Sequence, residues 1–217
     1  MLRVLRLKVN DPVQLFNGRG IQASAFIEQI AGSKVILAIT ETEALSCESP
    51  LAITLVQSIA KGERMDWILQ KTTELGVSRI IPVFSERSVV KFNADRMLSR
   101  MKHWHGVITH ACAQCGRNTL PVLDTPEKTL DDALAQVQPT QGFFLSPEGD
   151  TNLSKISQAL GDAITIIVGP EGGFSATETE QMKLRGMRGL KLGPRVLRTE
   201  TAGLVALSAI GVLRGDL

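Results

Sequence analysis

Apolar and polar positions alternate along the first part of the chain. The run "VLRLKV" at 4–9 alternates apolar with basic residues, "VQLF" (13–16) and "IQASAFI" (21–27) flank an Asn17-Gly18 pair, and "KVILAIT" (34–40) follows. A period of two is that of a strand with one buried face, and Asn-Gly between two such runs marks a turn. Residues 1 to about 48 therefore read as β-rich. The polar stretch "TETEALSCESP" closes this region and places a linker near residues 41–50.

Beyond residue 50 the rhythm changes. Strand candidates "LAITLVQSI", "VSRIIPVF", "TLPVLD", "QGFFLS", "AITIIVG" and "LKLG" are separated by helical stretches at 62–75, 95–115, 129–137, 152–160 and 176–186, with a last one at about 200–214. Alternating strands and helices predict an α/β domain built on a mainly parallel sheet. The helix at 95–115 carries an apolar stripe of Met97, Met101, Trp104, Ile108, Ala111 and Cys115, and Gly116 is its natural stop. The final helix, "TAGLVALSAIGVL", is apolar on nearly every side, which places it in the core or in a subunit interface.

A chain of 217 residues, 43% hydrophobic, is long enough for one large domain, or one domain with a small companion, and can bury a core. It contains no run of eighteen apolar residues, so no membrane span is expected. The opening "MLRVLRLKVNDP" is amphipathic and basic and lacks the apolar centre of a signal peptide. An odd count of three cysteines points to a reducing compartment, so a cytoplasmic location is expected. A net charge of +2 does not by itself indicate nucleic-acid binding, and it leaves room for a local basic patch.

The segment "HWHGVITHACAQC" gathers His and Cys and invites a zinc reading. At about 100° per residue, however, His103, His110, Gln114 and Arg117 share a polar face, Cys112 lies opposite near His105, and Cys115 falls in the apolar stripe. Ligands on opposite faces of one helix cannot converge on one ion, so no metal site is expected. The thiols are expected to be buried on one face, with the polar face solvated or turned to RNA. Cys112 and Cys115 also sit at a helix C-terminus, where the dipole disfavours a thiolate, which argues against a redox pair.

The candidate chemistry lies further on. In "TIIVGPEGGFSATETE" an apolar run from Ile164 to Val168 stops at Gly169-Pro170, Glu171 and two glycines follow, and Ser175 to Glu178 reads as a capping box. Strand, glycine loop and helix is a usual phosphate setting, but this is neither GxGxxG nor GxxxxGK[ST], and Glu171 would repel a pyrophosphate. A ligand with hydroxyls or a positive centre fits better, although a tight strand-to-helix turn would use the same glycines. A second strand ends in "KLGPRVLRTETA", where Arg195, Arg198 and Glu200 precede the apolar last helix. Charges at that position are normally paired or functional. A third strand ends in "FFLSPEG". Ligands of open α/β sheets bind at strand carboxyl ends, so the three loops suggest one composite pocket.

"VGPEGGFS", "LGPRVLRTETA", "KGERMDWILQKTTELGV", "FSERS" and "QCGRN" together closely resemble the RsmE family, SPOUT-superfamily RNA methyltransferases, over nearly the whole chain. The resemblance implies S-adenosylmethionine-dependent methylation of N3 of a specific uridine in 16S ribosomal RNA of the small subunit. It implies a PUA-like β-rich RNA-binding domain at 1–48 and a SPOUT domain at 49–217, α/β with a trefoil-knotted, mainly parallel sheet and helices on both faces. It also implies a homodimer, which would cover the apolar last helix, with no membrane or DNA partner. The cofactor would be held by Leu145, Ser146, Pro147, Val168, Gly169, Pro170, Glu171, Gly172, Gly173, Leu192, Gly193, Val196, Leu197, Arg198, Thr199 and Thr201. Glu171 conflicts with no charge there, because the ligand is a cationic sulfonium. By the same resemblance, Arg198 and Glu200 would form the central catalytic pair, with Arg117 of "QCGRN" reaching the RNA. Arg3, Arg6, Lys8, Arg19, Arg87 and Arg195 are further candidate RNA contacts. The sequence departs from the family in beginning within the small domain, at "MLRVLRLK", so either the start is internal or the domain is shortened, an unpaired first strand then leaving an exposed edge, and in having Ala113 where Glu is common. The rival expectations are a non-catalytic RNA-binding or ribosome assembly factor, and a SPOUT enzyme acting on another RNA.

Overall fold

The computed structural model describes residues 7–32, 34–88, 94–138, 141–156, 160–214 and 216–217. They fall into two compact units, residues 1–48 with 112–120, and residues 49–111 with 121–217.

In the smaller unit, β1 (Pro12–Phe16), β2 (Gln22–Ala31) and β3 (Lys34–Glu43) form an antiparallel sheet in that order. Along β2, Ala23, Ala25 and Ile27 are buried and Ser24, Phe26 and Glu28 are exposed, the predicted period of two. The Asn17-Gly18 signal does mark the turn, within a loop at 17–21. The Asn17 carboxamide oxygen accepts from Arg19 N (2.7 Å) and Ile21 N (3.2 Å), and Gly18 and Gly20 take positive φ. The strand expected at 4–9 is not seen where it can be judged: residues 4–6 lie outside the described residues, and Leu7 to Val9 are irregular. Nor does the hinge begin at residue 41. β3 continues through Glu43, because Glu41, Thr42 and Glu43 pair with Ser24, Ala23 and Gln22. Segment 112–120 joins this unit through backbone bonds from Leu120 N to Gly18 O and from Gly20 N to Asn118 O. The Asn118 amide also donates to the Leu45 carbonyl.

The larger unit holds β4 (Ala52–Ser58), β5 (Arg79–Val83), β6 (Val122–Leu123), β7 (Gly142–Leu145), β8 (Thr151–Asn152), β9 (Ala163–Val168) and β10 (Arg188–Lys191). They make one seven-stranded sheet, ordered β6-β5-β4-β9-β7-β10-β8, with every pairing parallel. The helices are α1 (Glu63–Glu74), α2 (Ala94–Cys115), α3 (Leu130–Leu134), α4 (Leu153–Ile156), α5 (Ala176–Leu184) and α6 (Thr199–Arg214). On one face Val56, Ile81, Phe144 and Ile167 pack against Leu130 and Leu134 of α3 and Met182 of α5. On the other, α6 lies over Gln57 and Val168, and α1 packs along α6. Burial on both faces explains why the central strands are continuous apolar runs. The two-residue β8 was not foreseen. It pairs with β10 because the chain turns back tightly, and a Cβ at Gly149 would sit 2.6 Å from Gly189 O. The helix expected at 152–160 is observed as α4, with 157–159 outside the described residues, and the one expected at 129–137 contracts to α3. Among the described residues no helix is long and apolar enough to cross a membrane, and no group of three or more His, Cys, Asp or Glu side chains is placed to hold a metal ion.

The stripe along α2 holds for Trp104, Ile108 and Ala111, which are buried, but not for Cys115. The buried thiol is Cys112, and Cys115 and Cys47 are exposed. The stripe shifts phase at the helix end, where Cys112 points toward the Thr119 carbonyl of the turning chain. Burial pushes the Cys112 thiol up from 9.0 to about 11, with Arg117 pulling in the opposite direction. At pH 8 an alkylating reagent is therefore expected to modify Cys47 and Cys115 and to reach Cys112 only on unfolding, which peptide mass mapping reads directly. The same raised value makes the Cys112 contribution to stability decline as pH rises from about 9 toward about 11, where the unfolded chain loses this proton first.

Candidate cofactor and active site

β9, β7 and β10 are parallel neighbours, so their carboxyl ends lie side by side. The loops leaving them enclose a cavity of about 610 Å³, within the range of small-molecule sites. Its walls are Leu145 to Pro147 after β7, Val168 to Phe174 after β9, and Leu192, Gly193 and Arg195 to Glu200 after β10. Much of this lining is backbone and apolar side chain, with Gly173 and Gly193 at positive φ and no heavy atom within 4 Å of an added Cβ.

Each wall is fixed locally. The turn after β9 closes through Gly173 N to Pro170 O at 2.9 Å. Gly169 lets the Phe174 ring approach, since a Cβ there would stand 3.1 Å from it, and Phe174 meets Phe144 edge-on. α5 begins with the predicted capping box: Ser175 Oγ accepts from Glu178 N and Glu178 Oε2 from Ser175 N. Glu178 is only 2% exposed, and its other oxygen accepts from Glu86 N at 2.9 Å. Beside that contact, Arg87 donates to Gly172 O at 3.0 Å. The Thr199 hydroxyl at the start of α6 donates to Gly169 O at 2.7 Å and accepts from the buried Gln57 amide at 3.2 Å. The N–H groups of Thr201 and Ala202 close onto Arg198 O.

The acid in the glycine loop has a partner within the protein. Arg64, from the first turn of α1, donates to Glu171 at 2.7 Å and stands 3.9 Å from Glu200. Arg198 is also 3.9 Å from the same Glu200 oxygen and is 79% exposed. The second oxygen, Glu200 Oε2, is buried and has no hydrogen-bond partner among the described residues.

The cavity gathers all the residues expected at the cofactor except Thr201, which is exposed on the outer side of α6. Arg198 and Glu200 stand together on it. Arg117 belongs to the smaller unit, where it is 5% exposed and forks onto Glu48. Arg195 lines the cavity mouth and Arg87 is exposed, as are Lys8 and Arg19 on the smaller unit. Arg3 and Arg6 lie outside the described residues. Sequence reasoning did not find Arg64, Phe174 or Gln57. Phe174 was legible, since an aromatic following the glycines can fold back over them. Arg64 carries no such local signal, since its partner Glu171 is 107 residues away.

An RNA methyltransferase domain family matches residues 47–211, and an RNA methyltransferase PUA domain family matches residues 1–40. The chain belongs to the RsmE family of RNA methyltransferases. A Buchnera aphidicola ribosomal RNA small subunit methyltransferase E is 33% identical over 215 residues, covering 99% of this chain and 87% of that protein. A Neisseria gonorrhoeae structure of the same name, bound to S-adenosyl methionine, is 38% identical with a TM-score of 0.92, covering 98% of this chain and 87% of the other. A Legionella pneumophila methyltransferase structure in complex with SAM is 37% identical with a TM-score of 0.93, covering 97% and 86%. The RsmE resemblance carried by "GPEGG" and "LRTET" thus extends over the whole fold, and both motifs face one cavity.

Thr199 holds this RsmE-family cavity together at its floor. Replacing it by Val keeps the shape but leaves the Gly169 carbonyl and one Gln57 contact without their partner. The expected loss of about 1–3 kcal/mol in denaturant unfolding should be largely recovered by Thr199→Ser.

Proposed function

We propose that this chain transfers the methyl group of S-adenosylmethionine to N3 of one uridine in the 16S ribosomal RNA of the small subunit. The observation that carries this is the cavity at the ends of β9, β7 and β10, walled by "GPEGG" and "LGPRVLRTE" in a chain of the RsmE family. The residues present suit the cofactor. Backbone and apolar walls fit an adenosine, and the lining carboxylates Glu171 and Glu200 accommodate a cationic centre beside Arg64, Arg195 and Arg198. When bound, S-adenosylmethionine supplies an activated methyl carbon and keeps the electron pair of the broken bond on its sulfur.

The residues of the chain handle the uracil. Glu200, on the cavity wall beside Arg198, accepts the N3 proton. Arg198, exposed and only loosely held, reaches the uracil carbonyl oxygen on which charge develops. Residues 49–217 act as the methyltransferase domain and residues 1–48 as an RNA-holding domain, with Lys8, Arg19, Arg87 and Arg195 on phosphates. Arg117 steadies segment 112–120 through Glu48. The position of β10 between β7 and β8, both earlier in the chain, supports the trefoil-knotted connection expected of the family. The three cysteines and the ribosomal substrate support a cytoplasmic location.

The direct test supplies labelled S-adenosylmethionine with small subunits from cells lacking the modification, followed by nucleoside analysis. 3-Methyluridine is expected; an unlabelled RNA with the cofactor still bound would favour a binding factor. Arg198→Ala should cut transfer by about 10²-fold or more while calorimetric cofactor affinity survives, and equal loss of both would remove the division of roles.

A second copy of the chain covers the outer face of α6, where Val205, Val212 and Leu213 are 37%, 63% and 40% exposed. Sedimentation should show a homodimer, and Val212→Glu with Leu213→Glu should shift it to monomer.

A further inference from the structure

The charges at the cavity mouth are arranged asymmetrically. Glu200 presents Oε1 to two guanidinium groups, Arg64 and Arg198, each at 3.9 Å, while Oε2 stays buried without a hydrogen-bond partner among the described residues. The two arginines are not equivalent. Arg198 is 79% exposed, and among the described residues its only ion pair is this one. Arg64 is tied at its far end to Glu171 by a 2.7 Å charge-assisted bond, and it rises from the first turn of α1, where Gly62 at φ +66 turns the chain into the helix. Of the two cations beside Glu200, only Arg64 therefore has a fixed position.

We infer that Arg64 is the positioning residue of the site: anchored by Glu171, its fixed charge attracts Glu200 Oε1 at 3.9 Å and keeps that carboxylate on the cavity wall as the proton acceptor, and it leaves Arg198 free for the substrate. This rests on the uridine methylation proposed above. It gives the acid of the glycine loop a task of its own, which is to anchor Arg64. Without Arg64, the carboxylate of Glu200 would be drawn only by the exposed Arg198, toward solvent. A pair as exposed as Arg64 and Glu171 contributes little to folding, so a loss of activity on its removal would report on position.

The test uses the full chain as wild type, Arg64→Gln, Arg64→Lys and Glu171→Gln, on small subunits lacking the modification. Measured are kcat, KM for both substrates, calorimetric cofactor affinity without RNA, and melting temperature. Arg64→Gln is expected to lower kcat roughly tenfold to a hundredfold, with cofactor Kd within about threefold and melting temperature within about 2 °C. Arg64→Lys should recover most of kcat. Glu171→Gln should give a smaller loss in kcat, and the double variant with Arg64→Gln should lose less than the product of the two. An unchanged kcat in Arg64→Gln overturns the inference. So does a parallel fall of kcat, cofactor affinity and melting temperature, which would mark a purely structural role, or a failure of lysine to rescue. Absence of 3-methyluridine from wild type, with cofactor bound, instead overturns the methylation on which the inference rests.

Discussion

The hydroxyl of Thr199 joins three segments that are distant in sequence. It donates to the carbonyl of Gly169, where β9 ends, and accepts from the amide of Gln57, near the end of β4. Gln57 is fully buried, and a buried amide without partners is costly, so the start of α6 is held where it can supply one. Once α6 begins there, Gly203 lets the helix settle against Val168, at 3.4 Å from an added Cβ. The loops after β9 and β10 must then bow around the space above Gly169. The cavity is the volume those constraints leave.

Two glutamates in one short segment serve opposite purposes around that space. Glu178 turns inward and is nearly inaccessible, and it is satisfied by the backbone N–H groups of Ser175 and Glu86 at a helix N-terminus. Through Glu86 it draws Arg87 to the carbonyl of Gly172. Glu171 turns outward to Arg64. An exposed pair of that kind is worth at most about 1 kcal/mol, so its significance lies in where it puts the guanidinium. Glu178 builds the loop, and Glu171 sets the charges at its mouth.

The smaller unit uses the same pairing of arginine and carboxylate under burial. Arg117 is only 5% exposed, and its guanidinium is engaged by Glu48. Removing one partner of such a pair strands a charge away from water, which is far more damaging than losing a surface pair. The pair therefore fastens segment 112–120 beside the hairpin turn at Gly18 and Gly20. Burial of Cys112 in the same segment, with its thiol raised to about 11, reflects the same exclusion of water.

The sequence by itself determined what depends on local periodicity and local chemistry. The alternation in β2, the apolar runs of β4 and β9, the capping box of Ser175 and Glu178, and the glycine loops at strand ends were all legible, because each is written within about ten residues. Those loops also fixed most of the cavity wall, since parallel strands that are neighbours must present their ends together. Only the tertiary structure decided the rest. It placed Arg64 against Glu171, 107 residues apart, buried Cys112 in place of Cys115, inserted the two-residue β8 beside β10, and turned Arg117 onto Glu48. The physical reason is common to all four. Which charge finds a partner, and which face of a helix end is covered, depends on what other segments bring to the same place, and no local pattern carries that information.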